Sequence, residues 1–180
     1  MARMVLLQHT LPDGERHYDW LIEPVGAGPG SALARFADST DPDDRCLIAF
    51  RLMDRIDHPK TVEFPADAMP LHRRKYLDFQ GDVEGKGQVK RLCGGMVRKV
   101  EIMGHENDGQ MDAISIRGKF TSAGQGLEYT WAGIREGDLW RFRRSKPNIL
   151  QNKSKLEPRD NNPLTRDLND DGLWRHTGMF

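Results

Sequence analysis

Two histidines and an aspartate near the amino terminus have the types and spacing most open to chemistry. They stand in Leu6-Leu7-Gln8-His9, Thr10-Leu11-Pro12-Asp13-Gly14-Glu15-Arg16 and His17-Tyr18-Asp19-Trp20-Leu21-Ile22-Glu23. Apolar runs on either side of a Pro-Asp-Gly cluster have the composition of a hairpin. A turn centred on Asp13 leaves His9 and His17 at equal sequence distances from it. Antiparallel pairing then sets them opposite one another, with Cβ atoms about 5 Å apart. Asp19, two residues beyond His17, shares its face through the pleat. Two imidazoles and a carboxylate in one small volume are a ligand set for Mn²⁺, Fe²⁺ or Zn²⁺. A His-x-Asp pair on a strand is also a common hydrogen-bonded surface pair, so the rest of the chain has to decide between the two readings.

The elements that must position these side chains read as strands. The chain has 180 residues, enough for one domain with a buried core and an appended tail. Lys plus Arg and Asp plus Glu number 27 each, so no global positive field advertises nucleic-acid binding. Residues 86 to 146 carry 12 Lys and Arg against 7 Asp and Glu, which allows a local basic face. Cys46 and Cys93 stand far apart with no Cys-x-x-Cys pair, giving neither a disulfide framework nor a thiolate zinc site. No apolar run approaches the roughly 20 residues that span a bilayer. The opening apolar stretch is too short for a secretory signal. The expectation is a protein of a reducing compartment, the cytoplasm, with no membrane partner.

After the hairpin, residues 24–30 are loop by composition, Ser31 to Phe36 makes a short helix or strand, and Asp38 to Arg45 is an exposed acidic connection. Cys46 to Leu52 reads as a buried strand, and Thr61 to Phe64 as a short one cut off by Pro65. Glycines at 81, 85 and 87 argue against a helix beyond Gln80. Short strands then recur over Gln88–Cys93, Met96–Met103, Ala113–Phe120, Leu127–Arg135 and Leu139–Arg144, with Gly-rich turns between them. Tyr129, Trp131, Trp140 and Phe142 alternate well. The fold class expected is mainly β: a single antiparallel β-barrel with short helices over residues 1–145. Residues 146–180, rich in Asn, Pro and charge of both signs, read as a polar tail that is disordered by composition.

With its motifs in view, the chain resembles the 3′-phosphoesterase domain at the N-terminus of bacterial DNA ligase D, and the stand-alone bacterial proteins that carry that domain. Three stretches bear the likeness. The first is Gln8-His9 followed by His17-Tyr18-Asp19-Trp20-Leu21-Ile22-Glu23. The second is His72-Arg73-Arg74-Lys75-Tyr76-Leu77-Asp78-Phe79-Gln80-Gly81, continuing through Gly85-Lys86-Gly87-Gln88-Val89. The third and looser one is Ile116-Arg117-Gly118-Lys119 with Trp131 and Leu139-Trp140-Arg141-Phe142. Together they cover about residues 3 to 145 and leave the tail outside.

The resemblance implies a compact β-barrel that heals DNA 3′ ends, removing a 3′-phosphate or a terminal ribonucleotide in a Mn²⁺-dependent reaction before ligation. Its partners would be DNA or RNA/DNA 3′ ends, with a DNA ligase or repair polymerase downstream. Carried over by position, His9, His17 and Asp19 hold the metal, His72 meets the scissile phosphate, and Tyr76 lines the same pocket. The chemistry is coherent without the family. One divalent ion neutralises a phosphate ester's charge and activates a water, an imidazole protonates a leaving oxygen, and arginines clamp the other oxygens. Two family arginines are absent: one falls at Leu21 and the other near Phe64. Arg16, Arg73 and Arg74 adjoin the motif histidines and are the candidate replacements. His58 competes with His72, but only His72 keeps the spacing to Tyr76, and His105 reads as an exposed loop residue. Two rivals remain: a non-catalytic module that holds DNA ends or a ligase partner, favoured by the missing arginines, and an Fe²⁺ oxygenase with a His-x-Asp facial triad.

Overall fold

Strict alternation in the last strand shows how this sequence makes a sheet with a filled interior. Over Leu139–Ser145, Trp140, Phe142 and Arg144 are buried while Leu139, Arg141, Arg143 and Ser145 are exposed. In the computed structural model the described residues are 2–25, 39–104, 111–121 and 127–146. The Ser31–Phe36 segment, His105 and the tail beyond Lys146 lie outside them.

The strands are β1 (Ala2–Thr10), β2 (Arg16–Ile22), β3 (Arg45–Leu52), β4 (Glu63–Arg73), β5 (Gly81–Val83), β6 (Gly87–Gly104), β7 (Met111–Phe120), β8 (Tyr129–Glu136) and β9 (Leu139–Ser145). They form one antiparallel sheet in the order β1-β2-β3-β4-β9-β8-β7-β6-β5, and β6 also pairs with β1. Eight strands therefore make a ring, with β5 attached to β6 outside it. The expected short helices reduce, among the described residues, to one 3₁₀ turn at Arg74–Leu77.

Two strands run longer than the sequence pattern predicts. Gln88–Cys93 and Met96–Met103 are a single strand, because Gly94-Gly95 is a packing site and not a turn. A Cβ on Gly95 would lie 2.5 Å from the Lys119 carbonyl oxygen and 2.8 Å from the Met4 methyl. β6 pairs with β1 through Val97 and with β7 from Gly95 onward, so one long strand closes the ring. β4 likewise passes through Pro65 and Pro70. Glu63 to Asp67 pair with β9 while Asp67 to Arg73 pair with β3. Each proline thus falls where β4 has a neighbour on one side only, an edge position that tolerates a missing N–H.

The ring interior is packed with aromatic side chains. Trp20 meets Trp131, Phe142 and Phe50 with ring centroids 5.4, 5.6 and 6.1 Å apart. Arg144 closes one end of this core by donating to the carbonyls of Ile56, His58 and Pro59 and lying 4.5 Å over the Tyr129 ring. A second, smaller core lies on the outer face of β1, β2 and β3, where Val5, Leu7, Leu21, Leu47 and Ala49 meet Leu77 and Val89. Tyr76, Phe79 and Val83 pack against it from the 3₁₀ turn and its flanks. The sheet is therefore covered twice along these strands, and the second cover matters for the site.

Candidate metal centre

A three-residue loop sets the geometry of the amino-terminal hairpin. Leu11 N–H donates to the Glu15 carbonyl at 2.8 Å, and Gly14 N–H donates to the Leu11 carbonyl at 2.9 Å. Gly14 takes φ +90°, which only glycine adopts without strain. This is a type I turn followed by a left-handed glycine, a common hairpin closure. The loop is symmetric about Asp13, so Thr10 pairs with Arg16, His9 with His17 and Leu7 with Asp19. Period-two alternation then puts His9, His17 and Asp19 on the outer face, away from the aromatic interior.

There the three side chains converge. The His9 and His17 ring centroids are 4.8 Å apart. Asp19 splits its carboxylate between them, with Oδ2 3.7 Å from His9 Nδ1 and Oδ1 3.5 Å from His17 Nε2. One ligand atom from each residue lies within 4.8 Å of the others. Two donors bound about 2.1 Å from one ion are themselves roughly 3 to 3.5 Å apart, so little movement is needed to enclose a cation.

The hydrogen bonding fits the same use. His9 Nε2 is 2.7 Å from the Lys86 carbonyl oxygen. A carbonyl only accepts, so Nε2 carries the proton and Nδ1 keeps the lone pair aimed at Asp19. Metal-ligating histidines are typically oriented by such a donation to a backbone carbonyl. His17 Nε2 and Asp19 Oδ1 are buried and hydrogen-bonded to no described group. Leaving such atoms unsatisfied costs about 1–3 kcal/mol each, a cost that ligation of a cation removes. Burial pushes the His17 imidazole below its ordinary value; Asp19 opposes that shift, while Arg51 and His9 add to it. The neutral ring is the form that binds metal.

Beside the triad is a cavity of about 210 Å³ whose lining includes His9, Asp19, Arg51, His72, Tyr76 and Lys86. Its cover is the 3₁₀ turn on one side and the β5–β6 hairpin on the other. Buried Glu23, the last residue of the first motif, anchors that cover: it accepts the Arg3 N–H at 2.5 Å and ion-pairs with Arg74 at 2.6 Å. His72 lies opposite Leu47 across a bulged stretch of the β3–β4 pairing. Its Nδ1 is 2.8 Å from the Pro70 carbonyl, and its ring meets Tyr76 edge-on at 5.9 Å.

Other expected site residues lie elsewhere. Arg16 precedes His17 and so sits on the opposite face of β2, exposed and outside the cavity lining. Arg73 lies 3.7 Å from Asp43 and Arg74 is taken by Glu23, so neither lines the cavity. His58 also lies away from it, its Nδ1 accepting the Lys60 N–H. Within the basic third, Arg117, Arg141 and Arg143 are paired with Glu128, Glu136 and Glu63. Both cysteines are buried free thiols; burial raises both, Cys93 to about 12. Sequence reasoning missed Arg51 and Lys86. The available signal for Arg51 was its place as the one charged residue between Cys46 and Leu52.

Comparison with protein families finds no family model that matches this chain, and comparison with curated proteins finds no match. Among the described residues no helix is long and apolar enough to cross a membrane.

Proposed function

We propose that this chain is a metal-dependent phosphoesterase acting on nucleic-acid 3′ ends, where it removes a 3′-phosphate or a terminal ribonucleotide before the end is joined. The observation that carries the reading is the pair of orphaned buried atoms, His17 Nε2 and Asp19 Oδ1, beside a cavity that His72 and Tyr76 also line. The motif resemblance to the ligase D phosphoesterase domain points the same way. On this reading the ring of strands is a closed β-barrel that serves as a rigid scaffold. A DNA ligase or repair polymerase takes the healed end, and the buried free thiols suit a cytoplasmic location.

His9, His17 and Asp19 would hold the ion, for which Mn²⁺ is the first candidate. When bound there, a divalent cation supplies Lewis-acid neutralisation of the phosphoryl charge and lowers the pKa of a water. The rest falls to the chain's own groups. Lys86 fixes the His9 tautomer through its carbonyl. His72 donates Nδ1–H to Pro70, which orients the ring and leaves Nε2 to exchange a proton with the leaving oxygen. Tyr76 stacks edge-on to His72 and limits how that ring can turn.

The test is a primer-template carrying a 3′-phosphate. With Mn²⁺ the protein should release inorganic phosphate, and His72→Ala should lose that activity while keeping the Mn²⁺-induced rise in Tm. A second reading, a DNA-end binding module without chemistry, is favoured by buried Leu21 at the position of one family arginine and buried Phe64 near that of the other. Absence of turnover on both 3′-phosphate and 3′-ribonucleotide ends would select it.

A further inference from the structure

Arg51 is the one arginine among the described residues lining the cavity. It stands on β3 directly opposite Asp19 and shares its outward face. Its backbone neighbours Phe50 and Leu52 are buried in the ring interior, so the strand itself is fixed. Other arginines on this side of the sheet are engaged by carboxylates: Arg3 and Arg91 by Asp78, Arg74 by Glu23, Arg73 by Asp43. The Arg51 guanidinium makes no hydrogen bond or ion pair with any described residue. Asp67, its opposite number on β4, is exposed and does not pair with it.

An exposed guanidinium has no structural need to sit unpartnered beside a carboxylate and two imidazoles. It does suit an incoming anion, because its planar fork of donors matches two oxygens of a phosphate at once. The ammonium of Lys86 is likewise without an ion pair among the described residues. Asp19 is the only carboxylate among the described lining residues, so these carry more positive than negative charge. The cavity is also smaller than the ~300–1,000 Å³ of sites that enclose a whole small molecule. It fits the end group of a larger one.

We propose that Arg51 is the anion-binding residue of this site, gripping the oxygens of a terminal phosphomonoester seated in the cavity. The assignment rests on the phosphoesterase reading of the same cavity and names the residue that replaces the missing family arginines.

The experiment measures binding of inorganic phosphate to the full chain by thermal melting and calorimetry at low ionic strength, with and without saturating Mn²⁺. Phosphate should stabilise the wild-type protein. Arg51→Ala should weaken phosphate binding by at least about tenfold, the range of a lost charged hydrogen bond, while its Mn²⁺ response stays. Arg51→Lys should recover part of the loss, and Arg51→Gln replaces the alanine variant should that one fail to melt cooperatively. Equal phosphate binding by wild type and Arg51→Ala overturns the proposal, as does a wild type that binds no phosphate. Phosphate binding that depends on Arg51 but is indifferent to Mn²⁺ upholds Arg51 and sinks the metal-dependent reading instead. An oligonucleotide with a 3′-phosphate should compete for the site better than the same sequence ending in a 3′-hydroxyl; equal competition overturns the terminal-phosphomonoester assignment.

Discussion

Replacing Gly87 by alanine tests whether the hairpin beside the cavity prepares His9 for a metal. Gly87 begins β6 at φ +95°, and a Cβ there would lie 2.1 Å from the Thr10 carbonyl oxygen and 3.0 Å from Leu11 Cα. Both obstacles are backbone of β1 and its turn, so no side-chain rotation relieves them. A side chain at positive φ costs about 1–2 kcal/mol, and forced repacking adds about 1–3 kcal/mol. The variant should therefore lose on the order of 2–5 kcal/mol, read as a shift of the urea midpoint at constant m-value. The strain should also separate β6 from β1 where Lys86 meets His9. Losing an orienting partner of this kind typically weakens metal binding 10- to 100-fold, which a Mn²⁺ titration followed by calorimetry would detect.

Gly85→Ala is the control. Gly85 also has positive φ, +69°, in the turn closed by Lys86 N–H to the Val83 carbonyl, but a Cβ there meets nothing within 4 Å. It should bear the conformational cost of about 1–2 kcal/mol alone and leave Mn²⁺ affinity within a few-fold of wild type. Equal Mn²⁺ affinities for the two variants would refute the reasoning. They would mean that the 2.7 Å contact between His9 and Lys86 does not set which ring nitrogen faces Asp19.

Mn²⁺ should raise the Tm of the wild-type chain by preferential binding to the folded state, and His17→Ala should abolish that rise; an undiminished rise in the variant would remove His17 from the ligand set. The metal-free protein should gain stability with pH through the acid side of neutrality. His17 has a lowered pKa in the fold, so the unfolded chain binds more protons between the lowered value and 6.5. Its contribution is complete above 6.5 and is lost as pH falls towards the folded value. Denaturation midpoints from acid to neutral pH should rise more steeply for wild type than for His17→Gln, and parallel curves would count against a buried neutral imidazole.

The hairpin was legible because everything that sets it is local. Pro12-Asp13-Gly14 fixes a three-residue loop, the loop fixes the register, and the register decides which side chains share a face. Arg51 was not legible for the opposite reason. β3 is covered on both faces, by the aromatic interior and by the small outer core, so Cys46 to Leu52 reads as one apolar run and the alternation that would place Arg51 is hidden. The long β6 was hidden differently: Gly94-Gly95 has the composition of a turn, and only the structure shows that the missing side chain of Gly95 makes room for Met4 and the Lys119 carbonyl. His72 was placed by the spacing to Tyr76. No local pattern gives its bulged pairing with β3, which carries it to the cavity.

The double cover also explains why the candidate site lies outside the ring. Eight strands of this length enclose a space that Trp20, Phe50, Trp131, Trp140 and Phe142 fill, with buried Arg144 at one end. A polar site placed there would displace packed aromatic rings and leave donors without partners. On the outer face, β1 and β2 carry apolar residues at Val5, Leu7 and Leu21 and then change to His9, Asp19 and His17 as the strands run towards the Asp13 turn. The apolar half docks Leu77 and Val89, and Glu23 with Arg74 ties the 3₁₀ turn down. The polar half is then walled by these docked elements, with the cavity between them. On the proposed function, His9, His17 and Asp19 would hold their ion at one end of this packed surface, and the cavity beside them would receive the end of a polymer.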